Sequence, residues 1–329
     1  MNCPNFKFKA EIIDTNIPFG ENDNDMFEVY TSIKDNKIYI ASPNYKENHL
    51  DIYSLLDNKK ITSLKDNNRT IKSVWYFVNY RNKKEYLVSG VNYDKINIWD
   101  ITDDYKINYK IEDDSCILIF IDNDQDYIIS ITKYGSKHDI NSTKIYSFNN
   151  CSFIRYIENT KKEHIQYLLP WLNKKDNKYY IIQLARDKII INDLKGQLYA
   201  NLSNYEFGKY YTGFLYSKDN KDYLCVSSEE EKNSIIEIWD LDNKSITKVF
   251  DLLTKFSIGN IFSCNEKYIL ICDLKNKCIK IFDLENKKVI SLIKGEEKCI
   301  RSIKKLNHPT YGKSILTADE DNRIKLWIL

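Results

Sequence analysis

Short stretches of alternating apolar and polar residues, each closing on an aromatic residue or Asn, recur along the chain: Leu50-Asp-Ile-Tyr53-Ser, Ile96-Asn-Ile-Trp99-Asp, Lys144-Ile-Tyr146-Ser, Ile189-Ile-Ile-Asn192-Asp, Ile236-Glu-Ile-Trp239-Asp, Ile279-Lys-Ile-Phe282-Asp and Ile324-Lys-Leu-Trp327. Alternation at period two marks a β-strand with one face buried. The markers Tyr53, Trp99, Tyr146, Asn192, Trp239, Phe282 and Trp327 are 43 to 47 residues apart, the repeat of a four-stranded propeller blade. In the second unit, Ile71 to Asn79, Glu85 to Gly90, Lys95 to Asp100 and Lys106 to Ile111 read as its four strands, joined by Asn, Asp and Lys turns.

Seven such units sharing one continuous core predict an all-β, seven-bladed β-propeller, a single domain over 1–329. Its blades are expected at about 26–66, 67–112, 113–158, 159–204, 205–254, 255–295 and 296–329. The last unit has three strands, because two residues follow Trp327. A surplus alternating segment, Phe6 to Ile13, precedes the first unit, so residues 5–13, within an N-terminal closing strand and linker of 1–25, are expected to complete the seventh blade and remove its free edge.

Composition agrees with a β fold: 43% of residues are hydrophobic and 13% aromatic, with 25 Tyr and 14 Phe. Forty-nine Lys and Arg against 47 Asp and Glu leave a formal net charge of +2, which gives no global field toward nucleic acid. Eight cysteines without a Cys-x-x-Cys pair read as reduced thiols. With no signal-peptide core and no membrane-length apolar run, a cytoplasmic or nuclear location is expected.

The repeats resemble the WD40 family over essentially the whole chain. Trp-Asp itself stands at Trp99-Asp100 and Trp239-Asp240, and Leu316-Thr-Ala-Asp-Glu-Asp-Asn-Arg-Ile-Lys-Leu-Trp327 is similar to that family's second strand, tight turn and third strand. The resemblance implies a hydrogen-bonded chain of His, Ser/Thr, Asp and Trp inside each blade. Thr317, Asp321 and Trp327 match three members, but Gly295-Glu296 stands where Gly-His is expected, and no unit keeps Gly-His. The polar chain is therefore expected to be broken or replaced.

Four histidines at 49, 138, 164 and 308 fall in or beside connections, so they read as solvated loop residues unable to form a three-ligand cluster. No Gly-rich phosphate loop or Gly-x-Ser-x-Gly elbow occurs. No catalytic residue, metal site or cofactor is expected. In the WD40 register the connections of one face, the top, collect acid at Glu112-Asp113-Asp114, Glu229-Glu230-Glu231 and Glu296-Glu297, with the aromatics Tyr45, Tyr93, Tyr134, Tyr205, Phe207 and Phe256 and, near the axis, Arg186. The opposite connections collect Lys59-Lys60, Arg81, Lys174-Lys175 and Lys304-Lys305.

These residues, with the resemblance, point to a non-catalytic scaffold or adaptor that binds a basic peptide or partner protein on its top face within a multiprotein complex. One alternative is a structural subunit of a cytoskeletal, ciliary, trafficking or ribonucleoprotein assembly. Another is a hydrolase using two close, desolvated carboxylates at the central channel.

Overall fold

Isoleucine, valine and aromatic residues dominate the alternating stretches, and their side chains pack well on a pleated surface. The computed structural model describes residues 13–18, 27–44, 46–65, 71–91, 95–111, 116–121, 126–131, 142–158, 165–185, 187–203, 209–229, 234–251, 258–263, 268–273, 276–293, 300–319 and 323–328. Among them are 28 strands and no helix, hence no helix long and apolar enough to cross a membrane.

An N-terminal strand β1 (Ile13–Pro18) precedes seven blades. Blade 1 holds β2 (Glu28–Thr31), β3 (Ile38–Asn44), β4 (His49–Ser54) and β5 (Lys59–Leu64), and blade 2 holds β6 (Ile71–Asn79), β7 (Lys84–Val91), β8 (Ile96–Asp100) and β9 (Lys106–Ile111). Blade 3 comprises β10 (Cys116–Ile121), β11 (Asp126–Ile131), β12 (Ser142–Ser147) and β13 (Phe153–Glu158); blade 4 comprises β14 (Ile165–Asn173), β15 (Lys178–Ala185), β16 (Ile189–Asp193) and β17 (Leu198–Leu202). In blade 5 run β18 (Lys209–Lys218), β19 (Lys221–Glu229), β20 (Ser234–Asp240) and β21 (Ser245–Asp251), and in blade 6 β22 (Ile258–Ser263), β23 (Tyr268–Asp273), β24 (Cys278–Asp283) and β25 (Lys288–Ile293). Blade 7 is built from β26 (Ile300–His308), β27 (Gly312–Asp319) and β28 (Arg323–Ile328).

Each blade is an antiparallel sheet in chain order, and β1 pairs with β28 as the fourth strand of blade 7. The described part of the closing strand begins at Ile13, the last residue of the expected 5–13 segment. Ile13 is opposite Leu326 and Asp14 opposite Lys325, then the register shifts before Pro18, an imino acid tolerated on an edge strand. Residues 1–12 lie outside the described residues.

First strands contact first strands around the ring, including β26 with β2, so they form the wall of the central axis. Alternation along each strand sends one face to each neighbour: Leu87 and Val91 pack with blade 1 residues, Tyr86 and Val88 with blade 3 residues. The described core accordingly falls into seven clusters, one at each junction. The closing junction packs Phe27, Ile38 and Ile40 against Leu316, Ala318, Ile324 and Leu326. Each fully buried aliphatic side chain there contributes about 1.5–3 kcal/mol.

Candidate interaction surface

Because consecutive strands are antiparallel, first-to-second and third-to-fourth turns share one rim, the lower. Second-to-third and fourth-to-first connections share the upper. Of the upper-face residues singled out above, all but Glu229 lie outside the described residues. Glu229 ends β19, its Cα opposite Lys209 and Ser234. Asp321 is also outside.

On the lower rim five of the cations are paired. Lys84 Nζ lies 2.6 Å from Asp100, Lys175 3.2 Å from Asp242, Arg81 3.7 Å from Asp126 and Lys221 3.9 Å from Asp240. Lys174 donates to Ser217 Oγ at 3.0 Å and lies 3.9 Å from Asp222. Such half-exposed pairs contribute about 0–1 kcal/mol each, but they cancel the field a row of free lysines would project. Lys304 and Lys305 do not belong to a lower connection at all: both lie within β26. Sequence reading misplaced them because a Lys-Lys pair in the middle of a nine-residue strand looks like turn material.

Beneath those cations, carboxylates at the start of second strands reach into the preceding blade. Buried Glu85 of blade 2 accepts from Ser32 Oγ at 2.9 Å and the Ile33 amide at 2.9 Å in blade 1, and from Tyr76 Oη at 2.7 Å. Asp126 of blade 3 accepts from Asn79 Nδ2 of blade 2 at 2.8 Å; burial pushes its carboxyl above the usual range, against the pull of Arg81. Asp222 of blade 5 accepts from Trp171 Nε1 of blade 4 at 3.0 Å and from Ser217 Oγ at 2.6 Å.

Inside the blades, a different polar scheme stands where the WD40 resemblance implies a His-containing chain. The Trp to Ser/Thr bond persists in two: Trp327 Nε1 donates to Thr317 Oγ1 at 2.8 Å, Trp99 Nε1 to Ser89 Oγ at 3.0 Å. The residue two before each marker is polar in six of the seven units (Asp51, Asn97, Lys144, Glu237, Lys280, Lys325) and shares the marker's face of the strand. In four blades it meets the end of the second strand: Asn44 Nδ2 lies 3.2 Å from Asp51, Ser228 Oγ 3.3 Å from Glu237, Asp273 2.6 Å from Lys280 and Asp319 3.4 Å from Lys325. Burial opposes ionisation of Asp51, yet Lys60, Ser63 and Asn44 together hold its carboxyl below the usual range. Glu237, fully buried, goes the other way: burial raises it although Tyr210 Oη (3.0 Å) and Trp239 Nε1 (2.9 Å) donate to it.

Blade 4 exchanges the two positions. Ile190 is apolar where the others are polar, and Asn192 replaces the aromatic marker. Gln183 Nε2 donates to Asn192 Oδ1 at 2.9 Å, Asn192 Nδ2 to the Gly196 carbonyl at 3.3 Å, and Thr143 Oγ1 of blade 3 to Gln183 Oε1 at 2.6 Å. The polar position has moved two residues along the same face and, through Gln183, is linked to the preceding blade. The remaining markers Tyr53, Tyr146 and Phe282 are buried between blades.

At the axis, Lys304 of blade 7 meets Glu28 of blade 1 at 2.7 Å, their side chains 25% and 16% exposed. Burial disfavours the ammonium, but the Glu28 carboxylate outweighs it and raises the Lys304 pKa; Tyr167 of blade 4 adds to that direction. The ammonium also sits 5.8 Å from the centre of the Trp75 ring of blade 2. Four blades thus send one side chain each to the same region.

Two histidines depart from the solvated-loop expectation. His49 opens β4 and is buried, with Nε2 2.9 Å from Asp51 and Nδ1 3.3 Å from Glu47. His308 closes β26, also buried, and its Nδ1 accepts the Thr310 and Tyr311 amides at 3.2 and 3.3 Å, an internal turn cap that explains the burial. The signal for His49 was its i, i+2 spacing to Asp51, one face of a strand. Among the described residues no group of three His, Cys, Asp or Glu side chains is placed to hold a metal.

Two solved structures share this architecture. The β-propeller domain of Cps50 (Swd1) from Myceliophteria thermophila is 15% identical, with a TM-score of 0.69 over 94% of this chain and 98% of that one. BBS1N, solved in complex with ARL6DN, is 10% identical, with a TM-score of 0.71 over 97% of each chain. No family profile and no curated protein matches the chain. At these identities the likeness speaks to the fold, and what it establishes, with the strand order, is a seven-bladed β-propeller.

Proposed function

We propose that this protein is a degenerate WD40-type propeller that acts as a non-catalytic interaction scaffold in the cytoplasm or nucleus. It receives a basic peptide, or the basic surface of a partner protein, on its upper rim within a multiprotein complex. The observation that carries this reading is the pairing of five lower-rim cations, Lys84, Arg81, Lys174, Lys221 and Lys175, with Asp100, Asp126, Asp222, Asp240 and Asp242, which lowers the positive field on that side, while the sequence places the acid runs Glu112-Asp113-Asp114, Glu229-Glu230-Glu231 and Glu296-Glu297 toward the other. The Trp327–Thr317 and Trp99–Ser89 bonds favour the WD40 assignment. BBS1N, a propeller of the same shape, was solved bound to another protein, which accords with a scaffold role. Glu28, a carboxylate at the axis, is held by Lys304, an arrangement suited to joining blades rather than to acid–base hydrolysis.

Fluorescence anisotropy with a labelled Lys/Arg-rich 12-residue peptide tests this. Binding should weaken as salt rises past about 0.15 M, where screening acts over about 8 Å. The triple change Glu229→Lys, Glu230→Lys, Glu231→Lys should weaken binding at unchanged melting temperature, while Lys174→Glu with Lys175→Glu should not. Loss of binding only with the lysine reversals would place the working surface on the lower rim.

A further inference from the structure

The outer strand of a blade ends its sheet, and its free N–H and C=O groups template a further strand unless charge blunts the edge. β5 carries Lys59 and Lys60, β9 Lys106 and Lys110, β13 Arg155, and β21 Lys248. β17 is five residues long with Asn201 near its end. β25 is different: after Lys288 it runs Val289-Ile-Ser-Leu-Ile293 without a charge, and Val289, Ile290 and Leu292 are 40%, 39% and 44% exposed. Val289 and Ile290 flank a register shift, with Ile281 opposite Ser291 and Phe282 opposite Val289, and together with Leu292 they leave three apolar side chains exposed along one edge. β24 lies on one side of β25, and among the described residues no strand pairs with the other.

We propose that β25 is a docking edge for an extended, apolar-alternating segment of a partner protein with acidic residues at its C-terminal end, added as a fifth antiparallel strand of blade 6. Charge fixes the direction. Lys287 and Lys288 are exposed at the start of β25, and an antiparallel partner ends there, whereas the other end of the run continues Lys294-Gly-Glu296-Glu297 and offers no net positive charge. A second copy is disfavoured by the same residues, since antiparallel self-pairing about Ser291 sets Lys288 against Lys294. This surface is separate from the upper rim, and the two proposals stand or fall apart.

The probe is a labelled peptide Thr-Val-Thr-Val-Thr-Val-Asp-Asp, followed by anisotropy with the full chain. Saturable binding is expected, weakened about tenfold or more by Ile290→Lys, a change at an exposed site that should leave the melting temperature in place. The triple Glu229→Lys, Glu230→Lys, Glu231→Lys should not affect it. If Ile290→Lys fails to fold, Lys287→Glu with Lys288→Glu serves instead and should exchange preference from the Asp-Asp peptide to one ending in Lys-Lys. Absence of binding at millimolar peptide, equal binding by the variants, or a dimer in sedimentation that Ile290→Lys dissolves would each overturn the proposal, the last by assigning the edge to a second copy.

Discussion

Asn192→Ala should cost far more than the loss of a small polar side chain suggests. The substitution removes the bond that Gln183 Nε2, on a side chain with 0% exposure, donates to Asn192 Oδ1. Disrupting a buried side-chain hydrogen bond costs about 1–3 kcal/mol. Lost packing adds about 1 kcal/mol, for about 2–4 kcal/mol in all. With an unfolding entropy of about 2.1 cal/mol/K per residue, the 329-residue chain loses about 3–6 °C in melting temperature. Trp239→Ala, about 3–5 kcal/mol, is the calibrating comparison. Urea denaturation of Asn192→Ala, Gln183→Ala and the double variant reads the coupling directly: because both amides serve one chain, the double should cost about 1–2 kcal/mol less than the sum of the singles. Additive losses, or an Asn192→Ala loss below about 1 kcal/mol, would refute the claim that the amide pair replaces the aromatic marker.

Glu237 titrates above its ordinary value of 4.5, so the folded state holds its proton where the unfolded state has released it. Its contribution to stability is therefore complete below pH 4.5 and is lost as pH rises through the raised folded value. Glu237→Gln should flatten that part of the stability profile measured by urea melts from pH 4 to 8. Removing residues 1–18 strips β1 from β28; a lower melting temperature in calorimetry and aggregates in size-exclusion chromatography are expected, and an unchanged monomer would contradict closure by this strand. Lys304→Met leaves Glu28 unpaired at the axis and should destabilise by about 2 kcal/mol, reduced from the fully buried case by partial exposure, with Glu28→Gln in the same chain restoring most of it in chemical denaturation.

Much of the architecture was legible because its cause is local. Period-two alternation and a marker every 43 to 47 residues fix the third strands, and the three-stranded last unit demands a closing partner. The full reach of that partner was not legible: the pairing with β28 runs through Ile13 to Pro18, a stretch with little alternation of its own. The polar wiring was hidden for another reason. Gln183, Thr143 and Asn192 are unremarkable in sequence and acquire meaning only when neighbouring blades meet. Polarity two residues before each marker was visible, though, and could have revealed both the second-to-third-strand pairs and the exchange in blade 4. Of the upper-rim candidates, Glu229 alone lies among the described residues, at the end of β19; the others fall in stretches of sequence with no periodicity to dictate conformation.

The polar groups that cross between blades also give the ring a second kind of joint, with its own response to temperature. Blades 1 and 2, 2 and 3, 3 and 4, 4 and 5, and 7 and 1 are joined by polar links through Glu85, Asp126, Gln183, Asp222 and Lys304 as well as by apolar packing. The described clusters flanking blade 6 join it through Ile269, Ile271 and Phe282 on one side and Leu270, Ile279 and Ile281 on the other. Apolar burial loses strength on cooling while hydrogen bonds to buried carboxylates do not fade in the same way. Chilling should therefore spare these polar links while it weakens the apolar packing, so that in the cold the five linked junctions lean on Glu85, Asp126, Gln183, Asp222 and Lys304 more than they do at room temperature.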